Sequence, residues 1–120
     1  MEKLTLQEET AMQAIWKAGK GFVKDFLEVH IAPAPPYTTL ASTIKNLEKK
    51  GFVESRKIGN VYEYTPLIEE EAYKRKFMSG FVKNYFENSY KELVSFFAKE
   101  KKISPDELKE IIKMIEKGKQ

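Results

Sequence analysis

Apolar positions in this chain follow two rhythms, one at helical spacing and one at strand spacing. Leu40, Ile44 and Leu47 recur at i, i+4 and i+7, a single stripe at 3.6 residues per turn that predicts a helix from Thr38 to Lys50. Gly51 follows as a stop signal. Val53 to Lys57 and Val61 to Thr65 then alternate in character around Gly59-Asn60, a pair suited to the positive φ of a tight two-residue turn. The prediction is a helix, a stop and a hairpin.

Upstream, Thr5-Leu6-Gln7-Glu8 has the form of a capping box opening a helix that runs to about Lys17. Met12, Ile15 and Trp16 form its buried side, and Gly19 ends it. Gly21-Phe22-Val23 predicts a single short strand against the hairpin, before a helical run from Lys24 to about His30 with Phe26 and Leu27 inward. Three prolines between Ala32 and Pro36 stop that run and stiffen the turn into the next helix. Helix, turn, helix and hairpin together predict a winged helix-turn-helix, with the Thr38 to Lys50 helix in the recognition position.

After Pro66 the rhythm changes. Tyr73, Phe77, Phe81 and Tyr85 step by four along a helix expected from about Glu69 to Phe86. Ser89-Tyr90-Lys91-Glu92 and Ser104-Pro105-Asp106-Glu107 are two further capping patterns. They open stripes of Tyr90, Leu93, Val94 and Phe97, and of Leu108, Ile111, Ile112 and Ile115. The expected fold is mostly α with a small β-wing: a winged-helix domain over residues 1–66 and a helical region over 67–120. Three one-sided helices cannot all be buried on a domain that has its own core. A second copy of the chain is the expected cover, through Tyr73, Phe77, Phe81, Tyr85, Leu93, Phe97, Leu108, Ile111, Ile112 and Ile115, the alternative being that the helices fold back into a larger monomeric core.

Composition narrows the chemistry. The 120 residues contain no cysteine and one histidine, His30. Thiolate metal sites, disulfides and the common nucleophilic triads are therefore excluded, and no metal or cofactor is expected. The six glycines form no phosphate-cradling loop, and carboxylates such as Glu63 and Glu69 are not converged on a site by any pattern. The chain is not expected to be an enzyme. It has no apolar run long enough to span a membrane, and Met1–Thr5 lacks a signal core. Cytoplasm is the expected location.

The net charge of +3 is modest, but from Lys45 to Lys57 five cations stand against two carboxylates. On the face opposite the apolar stripe lie Thr38, Thr39, Ser42, Lys45, Asn46 and Lys49, with no carboxylate among them. Such donors suit phosphates and base edges, and Arg56 and Lys57 add two cations beside the hairpin turn. Double-stranded DNA is the expected partner. The alternative from these residues is a winged-helix interaction module whose basic face docks an acidic protein.

The order and spacing of these features resemble the penicillinase-repressor family of bacterial transcription regulators, the BlaI/MecI/CopY type. Leu4-Thr5 with Glu9, Met12 and Ile15-Trp16 is similar to the family's opening helix. Pro36-Tyr37-Thr38-Thr39 through Leu47-Glu48-Lys49-Lys50-Gly51-Phe52-Val53 is similar to its recognition helix and first wing strand, and Tyr62-Glu63-Tyr64-Thr65-Pro66 to the return strand. The resemblance implies a homodimeric repressor on a palindromic operator, in one branch controlling antibiotic-resistance genes and relieved by proteolysis under a membrane sensor protease. That cut maps to Val94-Ser95-Phe96-Phe97-Ala98, so Phe96 and Phe97 mark the candidate cleavage segment. Phe96 stands where those members carry asparagine. The cysteine pairs of the copper-responsive branch are absent.

Overall fold

The computed structural model describes residues 3–118. Met1, Glu2, Lys119 and Gln120, which belong to the expected opening stretch and to the ends of the two expected regions, lie outside the described residues. The elements run α1 (Leu6–Ala18), α2 (Val23–Val29), α3 (Tyr37–Lys49), β1 (Val53–Ile58), β2 (Val61–Pro66), α4 (Glu70–Phe86), α5 (Tyr90–Lys99) and α6 (Pro105–Gly118). Chain contacts divide them into two compact bodies after Tyr73, whereas composition placed the boundary after Pro66.

In the first body the capping box forms at the head of α1. The Glu8 amide donates to Thr5 Oγ1 at 3.1 Å and the Thr5 amide to Glu8 Oε1 at 2.8 Å. Ala11, Met12 and Ile15 face inward and are completely buried. The short strand expected at Gly21-Phe22-Val23 contracts to one antiparallel bridge between Gly21 and Tyr64. The reason is local: Asp25 Oδ2 accepts the Phe22 amide at 2.9 Å, which starts α2 at Val23.

Leu40, Ile44 and Leu47 of α3 are buried as the stripe predicts. The helix ends in a Schellman arrangement: the Gly51 amide reaches the Glu48 carbonyl at 3.1 Å and the Phe52 amide the Leu47 carbonyl at 3.0 Å. Gly51 has φ +83°, the left-handed conformation that this cap requires. The chain emerges with Phe52 and Val53 in the core. β1 and β2 pair antiparallel, with Ile58 opposite Val61 and Lys57 opposite Tyr62. Only the base of the hairpin is buried, at Val53 and Tyr64; Ile58, Val61 and Tyr62 near its tip are exposed, as in a projecting wing.

Tyr73, expected on an outward aromatic stripe, instead closes this core. Its ring lies 5.5 Å from Trp16 and 6.0 Å from Phe52, and its hydroxyl donates to Glu9 Oε2 at 2.6 Å. Burial first, and then the hydrogen bond and charge of Glu9, hold the Tyr73 hydroxyl protonated far above the ordinary phenol range. Trp16 Nε1 donates to the Ile68 carbonyl at 2.8 Å.

The second body is helical. Ser89 caps α5 by accepting the Glu92 amide at 3.1 Å, and Ser104 and Glu107 form a reciprocal capping box at the head of α6. Phe81 lies 6.4 Å from Phe77, 5.0 Å from Tyr85 and 6.0 Å from Phe86, and Phe86 lies 5.8 Å from Phe96. Val82 is the one buried hydrophobic among the described residues of this body, and α5 and α6 bury none.

Candidate nucleic-acid interface

The fold gives α3 an inner and an outer side. Burying Leu40, Thr43, Ile44 and Leu47 forces the opposite positions outward. Thr38, Ser42, Lys45, Asn46 and Lys49 are exposed and Thr39 is half-buried. Thr43, the hydroxyl on the inner side, donates to the Thr39 carbonyl at 2.9 Å. Glu48 is half-buried and accepts the Ser55 hydroxyl of β1. That bond turns the one carboxylate of α3 toward the wing.

The five cations between Lys45 and Lys57 have different surroundings. Lys50 turns inward, with Nζ 2.7 Å from Glu8 Oε1 and 3.1 Å from the Lys3 carbonyl. It ties the end of α3 to the head of α1. Burial pushes the Glu8 carboxyl up, but the Lys50 hydrogen bond and charge and the Thr5 amide outweigh it, and its pKa lies below the usual carboxylate value. Arg56 is exposed and reaches its cross-strand neighbour Glu63 at 3.3 Å. Lys45, Lys49 and Lys57 are exposed.

Sequence reasoning missed two aromatic side chains of this face. Tyr37, the first residue of α3, is 51% exposed, and Tyr62 on β2 is 45% exposed. The signal for Tyr62 was its two-residue spacing from Tyr64, which puts both on one face of the hairpin. Tyr64 below it is buried, and its phenol pKa is raised by burial first and then by Glu48 and the neighbouring tyrosines. His30 sits at the end of α2, where Nδ1 lies 2.8 Å from the Ile31 carbonyl. Among the described residues no group of three or more His, Cys, Asp or Glu is arranged to hold a metal, and no helix is long and apolar enough to cross a membrane.

The expected interface between copies has a different character. Phe77, Tyr85, Phe97, Ile111, Ile112 and Ile115 are exposed, and Phe81, Leu93 and Leu108 are half-buried. Phe96 and Phe97, the candidate cleavage segment, are 48% and 37% exposed on α5.

Comparison with known proteins agrees with this architecture. The methicillin resistance regulatory protein MecI of Staphylococcus aureus is 29% identical over 79 residues, covering 66% of this chain and 64% of that protein. The match thus spans just under two thirds of that relative's length. The penicillinase repressor of Bacillus licheniformis is 25% identical over 113 residues, 93% of this chain and 88% of its own. The DNA-binding domain of the repressor BlaI superposes with a TM-score of 0.51 and 28% identity, covering 61% of this chain and 94% of that domain. The family model for the penicillinase repressor matches residues 4–117. A match over nearly the whole chain, with the winged helix in place, means that this chain belongs to the penicillinase repressor family.

Proposed function

We propose that this chain is a homodimeric transcriptional repressor that binds a palindromic operator in the cytoplasm and blocks transcription by occupying it. The observation that carries the reading is the outward face of α3, which offers hydroxyls, an amide and ammonium groups and no carboxylate, beside a projecting wing. Thr38, Thr39, Ser42 and Asn46 read base edges in the major groove. Lys45, Lys49, Arg56 and Lys57 meet phosphates, Arg56 after exchanging its exposed pairing with Glu63. Residues 1–66 act as the DNA-binding region and 67–120 as the dimerisation region. A two-fold dimer through the helical region spaces two recognition helices one helical turn apart.

By analogy with its relatives, whose names denote a penicillinase repressor and a methicillin resistance regulator, the proposed targets are antibiotic-resistance genes. Relief is proposed to come from proteolysis around Phe96 by a membrane sensor protease.

Selection of bound duplexes from a random pool, followed by salt titration, tests the reading. Enrichment of a two-fold symmetric site is expected; equal weak affinity for every duplex would favour an interaction module instead. Lys57→Ala should weaken binding to all sequences and lower the salt slope by about one, whereas Asn46→Ala should lose discrimination at one base pair, about 1–3 kcal/mol. Binding unaffected by both changes would show that the assigned surface is wrong.

A further inference from the structure

Four aromatic side chains from three parts of the chain line one groove of the first body: Phe22 ahead of α2, Tyr37 on α3, and Tyr62 and Tyr64 on β2. The groove has a volume of about 620 Å³, within the range of small-molecule sites and far above what one water needs. Lys24 and Lys45 also line it, both exposed, and no carboxylate is among its lining residues. Aromatic walls with two lining cations form a defined chemical environment, and the nearby carboxylate of Glu48, which borders the adjoining cleft with Lys45, Tyr62 and Tyr64, accepts the Ser55 hydroxyl. Flat rings gain from stacking on tyrosine and phenylalanine, and a carboxylate gains charge-assisted hydrogen bonds from ammonium groups.

The groove has a second property. It lies between α3 and the wing, and Lys45 belongs to the proposed DNA face. A ligand engaging Lys45 would withdraw that cation from phosphate and occupy the space beside Tyr37.

We propose that the groove between α3 and β2 binds a small planar aromatic carboxylate, its ring among Phe22, Tyr37, Tyr62 and Tyr64 and its carboxylate on Lys24 and Lys45, and that this ligand competes with DNA. The competition rests on the DNA-binding reading; the ligand site does not.

Titrating the full chain with sodium naphthalene-2-carboxylate, followed by amide NMR shifts, tests the site without DNA. Saturable shifts are expected at Phe22, Tyr37, Ala41, Lys45 and Tyr62. Lys24→Met should weaken binding about tenfold, as should replacing the probe by neutral 2-naphthalenemethanol. Ala41 also lines the groove and is half-buried, so Ala41→Phe should fill it and abolish binding. Lys24, exposed, provides the variant that leaves folding intact. Absence of saturable shifts in the groove, or equal affinity for the neutral alcohol, overturns the site.

A second arm adds the probe to a complex of the protein with its selected duplex. The apparent Kd for DNA is expected to rise in the unmodified chain and to stay constant in Ala41→Phe. Saturable groove binding with unchanged DNA affinity overturns the competition. Failure to bind any duplex would tell against the DNA-binding reading alone, because the ligand titration is read in its absence.

Discussion

Glu8 performs two tasks that sequence pattern revealed only in half. The capping box with Thr5 was legible, because its spacing is local. The ion pair to Lys50 joins residues 42 apart, and no local pattern reports it; Lys50 read as one more cation of a basic surface. Glu8 is buried and its pKa is lowered, so its contribution to stability is complete above the ordinary value of 4.5 and is lost as the pH falls through the lowered one. Glu8→Gln should therefore destabilise the fold by about 2 kcal/mol at neutral pH, the order of a charge-assisted hydrogen bond. The gap to the unmodified chain should begin to narrow below pH 4.5 and close as the pH falls through the lowered value, where the native carboxylate becomes protonated. Urea unfolding at a series of pH values measures both. A gap that persists unchanged into acid would mean that the carboxylate charge is not what holds Lys50.

At the scale of elements, the wing depends on one backbone conformation. Gly59 has φ +62° at the first central position of the turn, where glycine is favoured and an L side chain is strained. No atom lies within 4 Å of the position a methyl would take, so the expected penalty for Gly59→Ala is conformational, about 1 kcal/mol, with no steric addition. Thermal unfolding should show that loss. Duplex binding should weaken alike for all sequences, since Arg56 and Lys57 shift while the outer face of α3 does not. A change in sequence preference would instead link the wing to base readout. The helices and hairpin were legible because caps, periods and turn residues agree. The strand at Gly21-Phe22-Val23 was overestimated because three apolar-leaning residues carry no period, and the Asp25 carboxylate decided the matter in favour of a helix start. The packing of Tyr73 on Trp16 and Phe52 was not legible, because Tyr73 shares the four-residue step of Phe77, Phe81 and Tyr85, and periodicity does not tell which of several partners a face meets.

For the whole molecule the deciding feature is the apolar surface that the helical region presents. α6 leaves Ile111, Ile112, Met114 and Ile115 42–70% exposed. α5 leaves Val94, Phe96 and Phe97 in a similar state. Exposed apolar faces of this extent on a lone chain favour association, and a two-fold interface is self-complementary. The double substitution Ile112→Asp with Ile115→Asp places two carboxylates per chain into such an interface. Burying unpaired charge is prohibitive there, so the dimer should weaken at least about a hundredfold, roughly 3 kcal/mol. Both side chains are exposed on one chain, so the first body should keep its melting behaviour. Sedimentation velocity should then show a dimer for the unmodified chain and a monomer for the variant at the same micromolar concentration. The monomer should bind a single half-site nearly as before and lose the extra affinity of the two-fold operator, because that gain comes from linking two modules. A variant that stays dimeric would move the interface away from α6; one that turns monomeric yet keeps full operator affinity would separate DNA binding from dimerisation.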